Sequence, residues 1–523
     1  MKTFKKIMVL MLALLMLVSV TANTMIAEEA KKEEATEEVV EETATEEVAE
    51  EAEETEEAEV KGPKYIFLFI GDGMSHVQYQ VAANYLGAKD EPMPEILKGS
   101  KYLNFMNFEV AGTADTYDST SFCPDSASTA TSIASGKKTH SGTLNMDEEK
   151  QEKFETIAEK LHKQLGYKIG IVSSVNLNHA TPAAFYAHQA SRNSYYEIGL
   201  ELIESGFEYF AGGELKRLTG DDKDKESLHD LIKKAGYTLA TTKEEAEAIN
   251  AESGKVVIIE ENLADSDAMP YEIDRTEDML SLADYTKKGL EVVNADDSPF
   301  FMMVEGGKID WACHANDAAT VIHDTIAMAD AVQVALDFYA EHPEETLILV
   351  TGDHETGGLS IGYAGTNYDT YLHLIDAQTT SHTKFDADVL PGILEQEASF
   401  EDILAIIEEN FGLKAEGEED DKFVLTEWER SRLEAAFAKT LELVKDEEAQ
   451  LNEEEYVLYG GYTPLTVTLT HIVNNKCGID FTSYSHTGVP VAVFAQGAGA
   501  DLFRGYYENT DIFNKLVELT DVE

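Results

Sequence analysis

The chain has 523 residues, with 40 Lys and Arg against 100 Asp and Glu, a formal net charge of −60 and an apolar fraction of 43%. That length and apolar content suit a large globular core, while so negative a field excludes a nucleic-acid-binding module or attraction to an anionic membrane surface. Three cysteines, Cys123, Cys313 and Cys477, are too few for a disulfide scaffold and too widely spaced for a thiolate zinc site.

Lys2, Lys5 and Lys6 precede an apolar run over 7–20, and the small residues Thr21, Ala22 and Ala27 follow. A basic, then apolar, then small-residue order predicts a secretory signal peptide over 1–27. The run is short for a membrane span, and no later segment reads as a transmembrane anchor. Residues 28–60 hold 17 Glu and 2 Lys, with almost nothing large and apolar to bury. They are expected to be an acidic, disordered spacer. Residues 61–523 are then the folded part and carry −48 of the charge, in a protein secreted to an extracellular or periplasmic space. Such a surface fits a salty, halophilic setting, where screening weakens self-repulsion, or a host whose secreted proteins are acidic. In either setting an anionic substrate needs local positive charge, and bound metal ions are the obvious source.

In chain order, the run 65–70 is apolar and of strand length and ends at Gly71-Asp72-Gly73, with a helix expected over 76–86. The small residues Ala127, Ser128, Ala130, Thr131 and Ala134 predict a closely packed helix that starts near Ser126 and stops before Gly136. Strands are expected at 169–173, 256–259, 300–304, 347–350 and 491–495, and helices over 193–204, 281–294, 314–339 and 511–519. These strands are apolar throughout and alternate with helices. That pattern predicts an α/β fold with a central, mostly parallel sheet covered by helices on both faces. Residues 365–480 break the rhythm with a Tyr- and Thr-rich stretch, an acidic helix over 426–449 and a turn at Tyr459-Gly460-Gly461-Tyr462. They read as an insertion leaving the carboxyl edge of the sheet.

Ligands in such folds bind beyond the carboxyl ends of the strands, and the polar clusters gather there. Asp72 lies between two glycines that permit a tight turn. Glu305 closes a buried strand, where its charge needs a partner or a cation. Asp310 and His314 are four apart, a carboxylate–imidazole pair on one helix face and suited to zinc. Asp353 and His354 follow the 347–350 strand, and His486 precedes the 491–495 strand. Ser126 reads as a helix N-cap, a position compatible with a nucleophile whose helix end holds phosphate. His179 and Thr181 follow the 169–173 strand, and Arg192 offers a planar donor fork to an oxyanion. Each residue also has a plain structural use as a cap, a surface pair or an ion pair. Their recurrence at equivalent strand ends points to a metallohydrolase.

On these residues the chain resembles the alkaline phosphatase family from about residue 62 to 520. Ile70-Gly71-Asp72-Gly73-Met74 is similar to the family's first metal motif, and Asp125-Ser126-Ala127-Ser128-Thr129-Ala130 to its nucleophile motif. His179-Ala180-Thr181-Pro182, Arg192, Val304-Glu305-Gly306 with Asp310 and His314, Thr351-Gly352-Asp353-His354-Glu355-Thr356-Gly357-Gly358 and His486-Thr487-Gly488 follow in the family's order. The resemblance implies hydrolysis of many small-molecule phosphomonoesters through a phosphoserine at Ser126, with two Zn2+ and one Mg2+ per subunit. It implies that Asp310, His314 and His486 hold one zinc, that Asp72, Asp353 and His354 hold the other, and that Asp72, Thr181 and Glu305 hold magnesium. Arg192 would grip two phosphoryl oxygens. The family also implies a homodimer, with the 365–480 insertion as a crown-like region. Two positions depart from one bacterial pattern: His179 replaces Asp and Trp311 replaces Lys, both beside the ligands rather than among them. The first is expected to loosen magnesium, the second to speed phosphate release.

Three rival readings fit less well. A sulfatase needs Cys or Ser in a C/S-x-P-x-R context, which Ser126-Ala127-Ser128 lacks. A phosphodiesterase of the same superfamily typically lacks the third metal and the arginine, against Glu305, Thr181 and Arg192. A non-catalytic metal- or phosphate-binding surface protein does not need every catalytic side chain to be present.

Overall fold

A computed structural model describes residues 62–89, 99–418, 420–446 and 448–523. The signal peptide and acidic spacer expected over 1–60 lie outside the described residues. Ten strands make one sheet: β1 (Tyr65–Gly71), β2 (Val110–Asp115), β3 (Lys168–Asn176), β4 (Tyr209–Gly213), β5 (Thr238–Ala240), β6 (Val256–Ile259), β7 (Phe300–Gly306), β8 (Thr346–Gly352), β9 (Val491–Gly497) and β10 (Gly505–Glu508). Their order is β10-β2-β9-β8-β1-β7-β3-β4-β6-β5. β9 runs antiparallel to both neighbours, β2 and β8, and the other pairings are parallel.

Continuous apolar strands bury both faces, and β1 illustrates the consequence. Tyr65, Phe67 and Phe69 enter the core of one face, while Ile66, Leu68 and Ile70 enter the other. The main helices near the site are α1 (His76–Lys89), α2 (Ser126–Ser135), α3 (Lys308–His314) and α4 (Ala318–Glu341). α4 covers the first face through Val321, Ile322, Met328 and Val332. α2 covers the second through Ala127, Ala130 and Ile133, small enough to lie close to the strands. Strands β2, β4, β5 and β10 were not anticipated from the sequence; they are short or rich in Gly and Ala, which weakens the strand signal.

Two local expectations are corrected. The helix expected over 314–339 is two helices: Asn316 takes a left-handed conformation at φ 51°, and Asp317 caps α4 through Thr320 N at 3.2 Å. Asp310 and His314 therefore share the short α3. The N-cap of α2 is Asp125, which accepts from Ser128 N, so that Ser126 is the first helical residue. Gly136 ends that helix in the left-handed region, at φ 68°.

The 365–480 stretch carries helices at Phe400–Phe411, Glu427–Lys445 and Pro464–Cys477, whose apolar residues join the core of the first face. Two antiparallel ribbons tie its base: Ser360–Ile361 with Ile479–Asp480, and Glu355–Thr356 with His486–Thr487. All three cysteines are free, Cys313 and Cys477 buried and Cys123 exposed. Among the described residues, no helix is long and apolar enough to cross a membrane.

Candidate active site

Strand register brings the first ligands together. β1, β7 and β8 align Gly71, Gly306 and Gly352, so Asp72, Glu305 and Asp353 emerge at one level of the sheet. α3 then adds Asp310 and His314, and the Glu355–Thr356 ribbon sets His486 opposite Thr356. Three groups result, each with ligand atoms within 4.8 Å of one another: Asp310, His314 and His486; Asp72, Asp353 and His354; and Asp72, His179 and Glu305. Asp72 belongs to two of them. Thr181 joins the third by donating to Asp72 Oδ2 at 3.2 Å.

The histidines are oriented from behind. His314 Nδ1 lies 2.6 Å from the Tyr484 carbonyl oxygen, and His486 Nδ1 lies 2.5 Å from that of Pro124. A carbonyl only accepts, so both Nδ1 atoms carry a proton, and in the neutral rings that a cation would bind both Nε2 atoms present lone pairs. Those Nε2 atoms are 3.1 Å apart and stand 3.4 Å and 3.6 Å from the Asp310 carboxylate. His354 Nε2 is 3.3 Å from Asp72 Oδ1, 3.4 Å from Asp353 Oδ2 and 3.1 Å from Ser126 Oγ. The serine hydroxyl thus stands at the second group, at the amino end of α2.

Four carboxylates, Asp72, Glu305, Asp310 and Asp353, are at most 3% exposed. Burial pushes Asp72 well up, Glu305 up to about 8 and Asp353 up to about 7, and mutual repulsion adds to each. Asp310 goes the other way: burial opposes its charge, but His314, His486 and His354 hold it well below the usual range. Asp72 Oδ1 and Glu305 Oε1 have no hydrogen-bond partner among the described residues. Buried, crowded and under-compensated oxygens are what divalent cations stabilise. The donor sets fit divalent cations as well: one carboxylate and two imidazoles in the first group, and two carboxylates and one imidazole in each of the other two.

Arg192 is fixed by Asp125. Its Nη1 donates to Asp125 Oδ2 at 2.9 Å, and Asp125 Oδ1 accepts from Gly142 N at 2.9 Å and Ser128 N at 3.1 Å. Arg192 Nη2 lies 3.1 Å from His179 Nε2. A guanidinium only donates, so Nε2 accepts and the proton of His179 sits on Nδ1. Burial, with Arg192 and Lys216 nearby, holds His179 well below its ordinary value and hence neutral. In this arrangement His179 can donate from Nδ1 but has no free lone pair for a cation. Its ring meets Trp311 edge-on at 5.8 Å.

All the site residues anticipated from sequence converge here. Missed were the supports: Ser173, which donates to Glu305 Oε2 at 2.5 Å; Thr129, which donates to Asp353 Oδ2 at 3.1 Å; and Thr356, which donates to Asp310 Oδ1 at 2.5 Å. Thr129 and Thr356 lay inside recognisable motifs. The carbonyls of Tyr484 and Pro124 left no signal in the sequence.

A family model described as "Alkaline phosphatase" matches residues 63–522. Alkaline phosphatase 3 of Bacillus subtilis is 28% identical over 457 residues, covering 86% of this chain and 87% of that protein. Alkaline phosphatase 4 of the same organism is 26% identical over 471 residues, covering 89% of each. A crystal structure of the cold-active alkaline phosphatase from a psychrophilic Shewanella superposes with a TM-score of 0.70 at 28% identity, covering 87% of this chain and 99% of that one.

Proposed function

The chain belongs to the alkaline phosphatase family, and from that premise we propose that it is a phosphomonoesterase of broad range that works through a phosphoserine at Ser126. Family membership makes it a hydrolase of phosphate esters. The observation that carries the finer reading is the Ser126 hydroxyl, 3.1 Å from His354 Nε2, at a helix amino end beside three ligand groups. Asp310, His314 and His486 would hold one zinc, Asp72, Asp353 and His354 a second, and Asp72, Glu305 and Thr181 a magnesium. Bound there, these cations would supply the positive charge that favours an ionised serine hydroxyl and a departing alkoxide.

The protein's own groups do the rest. Ser126 Oγ attacks phosphorus in line, and the ester alcohol leaves on the opposite side. Arg192, held by Asp125, places N–H donors against equatorial oxygens. The amino end of α2 favours the anion through free N–H groups. Water then attacks from the vacated side, and Ser126 is released with inorganic phosphate.

Hydrolysis of nitrophenyl phosphate against pH, after EDTA and then after return of Zn2+ and Mg2+, tests the reading. Ser126→Ala should retain zinc while turnover falls by orders of magnitude. A bis-nitrophenyl ester cleaved faster than the monoester would transfer the site to diesterase chemistry. The N-terminal pattern supports export, and the family supports a homodimer. Sizing at two ionic strengths checks the dimer, because a charge this large weakens self-association at low salt.

A further inference from the structure

Beside the first ligand group lies a pocket of about 290 Å3, lined by Lys216, Asp265, Trp311, His314, His382 and Tyr462 among others. His314 belongs both to this wall and to the Asp310–His314–His486 group. Ser126 stands at the second group, against His354, and the alcohol leaves opposite it; under the proposed reaction the first group then faces the departing alcohol, and the pocket is where the organic part of an ester would extend. Its walls are aromatic and polar, and its one lysine has an unusual position.

Lys216 is half-buried, and its main chain is pinned. Its N–H donates to Asn178 Oδ1 at 2.8 Å, and its carbonyl accepts from Asn178 Nδ2 at 2.9 Å, one residue before His179. The ammonium stands 5.6 Å from the Tyr195 ring centre and 6.0 Å from that of Trp311. Among the described residues it forms no ion pair or hydrogen bond, in a chain where acidic residues outnumber basic ones 100 to 40. The pocket's own carboxylate is already engaged: Asp265 Oδ2 lies 3.8 Å from Nζ of the buried Lys308, which sits 3.6 Å over the Tyr271 ring. Asp265 and Asp267 act on Lys216 only through space, and an ammonium without a direct partner, on a pinned stretch of main chain in a pocket wall, is a recognition element for an anion.

We infer that this pocket is a leaving-group subsite in which Lys216 recognises a second anionic group, a carboxylate or a second phosphoryl, on the alcohol side of the ester. The inference rests on the phosphomonoesterase reading and adds a preferred substrate class to it. No covalent step is added. Lys216 acts on binding, with the ester's reacting phosphoryl at Ser126 and its distal anion in the pocket.

The test is equilibrium binding to the zinc- and magnesium-loaded full chain at fixed salt, using uncleavable phosphonates. Phosphonoacetate and 3-phosphonopropionate are compared with partners whose distal group is uncharged, 2-hydroxyethylphosphonate and 3-hydroxypropylphosphonate. Methylenediphosphonate forms a further arm that separates a phosphoryl from a carboxylate preference. At least one carboxylate-ended probe should bind about tenfold tighter than its hydroxyl-ended partner. Lys216→Met, which keeps the stem and removes the charge, should cut that ratio to twofold or less, and Lys216→Arg should keep it. The hydroxyl-ended phosphonates report any loss common to all probes, including misfolding, because only the ratio is read. A wild-type ratio near one, or a ratio that survives Lys216→Met, overturns the subsite. Nitrophenyl phosphate turnover is measured on the same samples. If turnover is present, such a result removes the subsite alone; if it is absent, the phosphomonoesterase reading falls and takes the subsite with it.

Discussion

Stripped of its metals, this protein should become less stable as pH rises from 7 to 8. Four groups of the site, Glu305, Asp72, Asp353 and His314, hold protons longer than their unfolded counterparts. Glu305 is raised to about 8 by burial, with Asp353 adding repulsion, and Asp72 is raised for the same reasons. Burial works against charge on His314, but Asp310 overrides it and lifts the ring to about 9. A group raised on folding stabilises fully below its unfolded pKa, and that stability is lost as pH rises through the folded value. For Glu305 the loss runs from about 4.5 to about 8, and for His314 from about 6.5 to about 9. His179, His354 and His486 are lowered by burial and act in the opposite sense, but only below the unfolded histidine value of 6.5. Lys138 and Lys308, lowered by burial to about 8, act mainly above that pH. Between 7 and 8, then, Glu305 and His314 contribute most, Asp353 at about 7 adds to the loss, and the two lysines offset part of it. At roughly 1.4 kcal/mol per proton per pH unit, and discounting His314 for partial exposure, the loss is about 2 kcal/mol. In a chain this long that lowers Tm by about 2–4 °C. Scanning calorimetry of EDTA-treated protein at pH 7.0, 7.5 and 8.0 reads it. Loading with Zn2+ and Mg2+ should abolish the trend, because cations keep their ligands deprotonated, and Glu305→Gln should remove a large part of it. A metal-free Tm that is flat or rising over this window would falsify the account of the buried carboxylates.

Further outcomes follow from single contacts. Asp125→Ala frees Arg192 and removes the α2 cap, so kcat/KM should fall about 10–100-fold while Tm falls by the equivalent of about 1 kcal/mol; steady-state kinetics and melting separate the two. Gly73 has φ +70°, and a Cβ there would lie 2.9 Å from Asp310 Cα and from Thr356 Oγ1. Gly73→Ala should therefore cost about 1–3 kcal/mol and lower zinc content by elemental analysis. His179→Asp places a carboxylate where a neutral imidazole now accepts from Arg192, and Mg2+ should resist chelator dialysis about tenfold longer in the variant. Equal retention in both proteins would sink that idea.

The sequence showed the site more clearly than the sheet that carries it, for a physical reason. Asp72, Glu305 and Asp353 were legible because each follows a continuous apolar run, and β1, β7 and β8 are buried on both faces. Burial on both faces forces that composition, and the same geometry places the three strand ends side by side. Strands such as β2 and β5 are short or half-exposed, so nothing forces an apolar run, and they blend into loops. His486 is a sharper case. Its partners Asp310 and His314 lie more than 170 residues earlier, and the two-residue ribbon that seats it beside Thr356 has no hydrophobic pattern of its own. What fixes that ribbon is the lobe packed between its strands, whose helices share the core of the first face. Destabilising the lobe should therefore release His486 before it disturbs Asp72 or Asp353, because those two are anchored by the central strands. Leu433, fully buried in the lobe, offers the comparison. Leu433→Ala should cost about 2–5 kcal/mol and weaken retention of the first zinc while the second is held. Stepwise zinc release to a chromophoric chelator distinguishes the cases: two steps in the variant support a site assembled from two unequal anchors, and simultaneous loss of both ions refutes it.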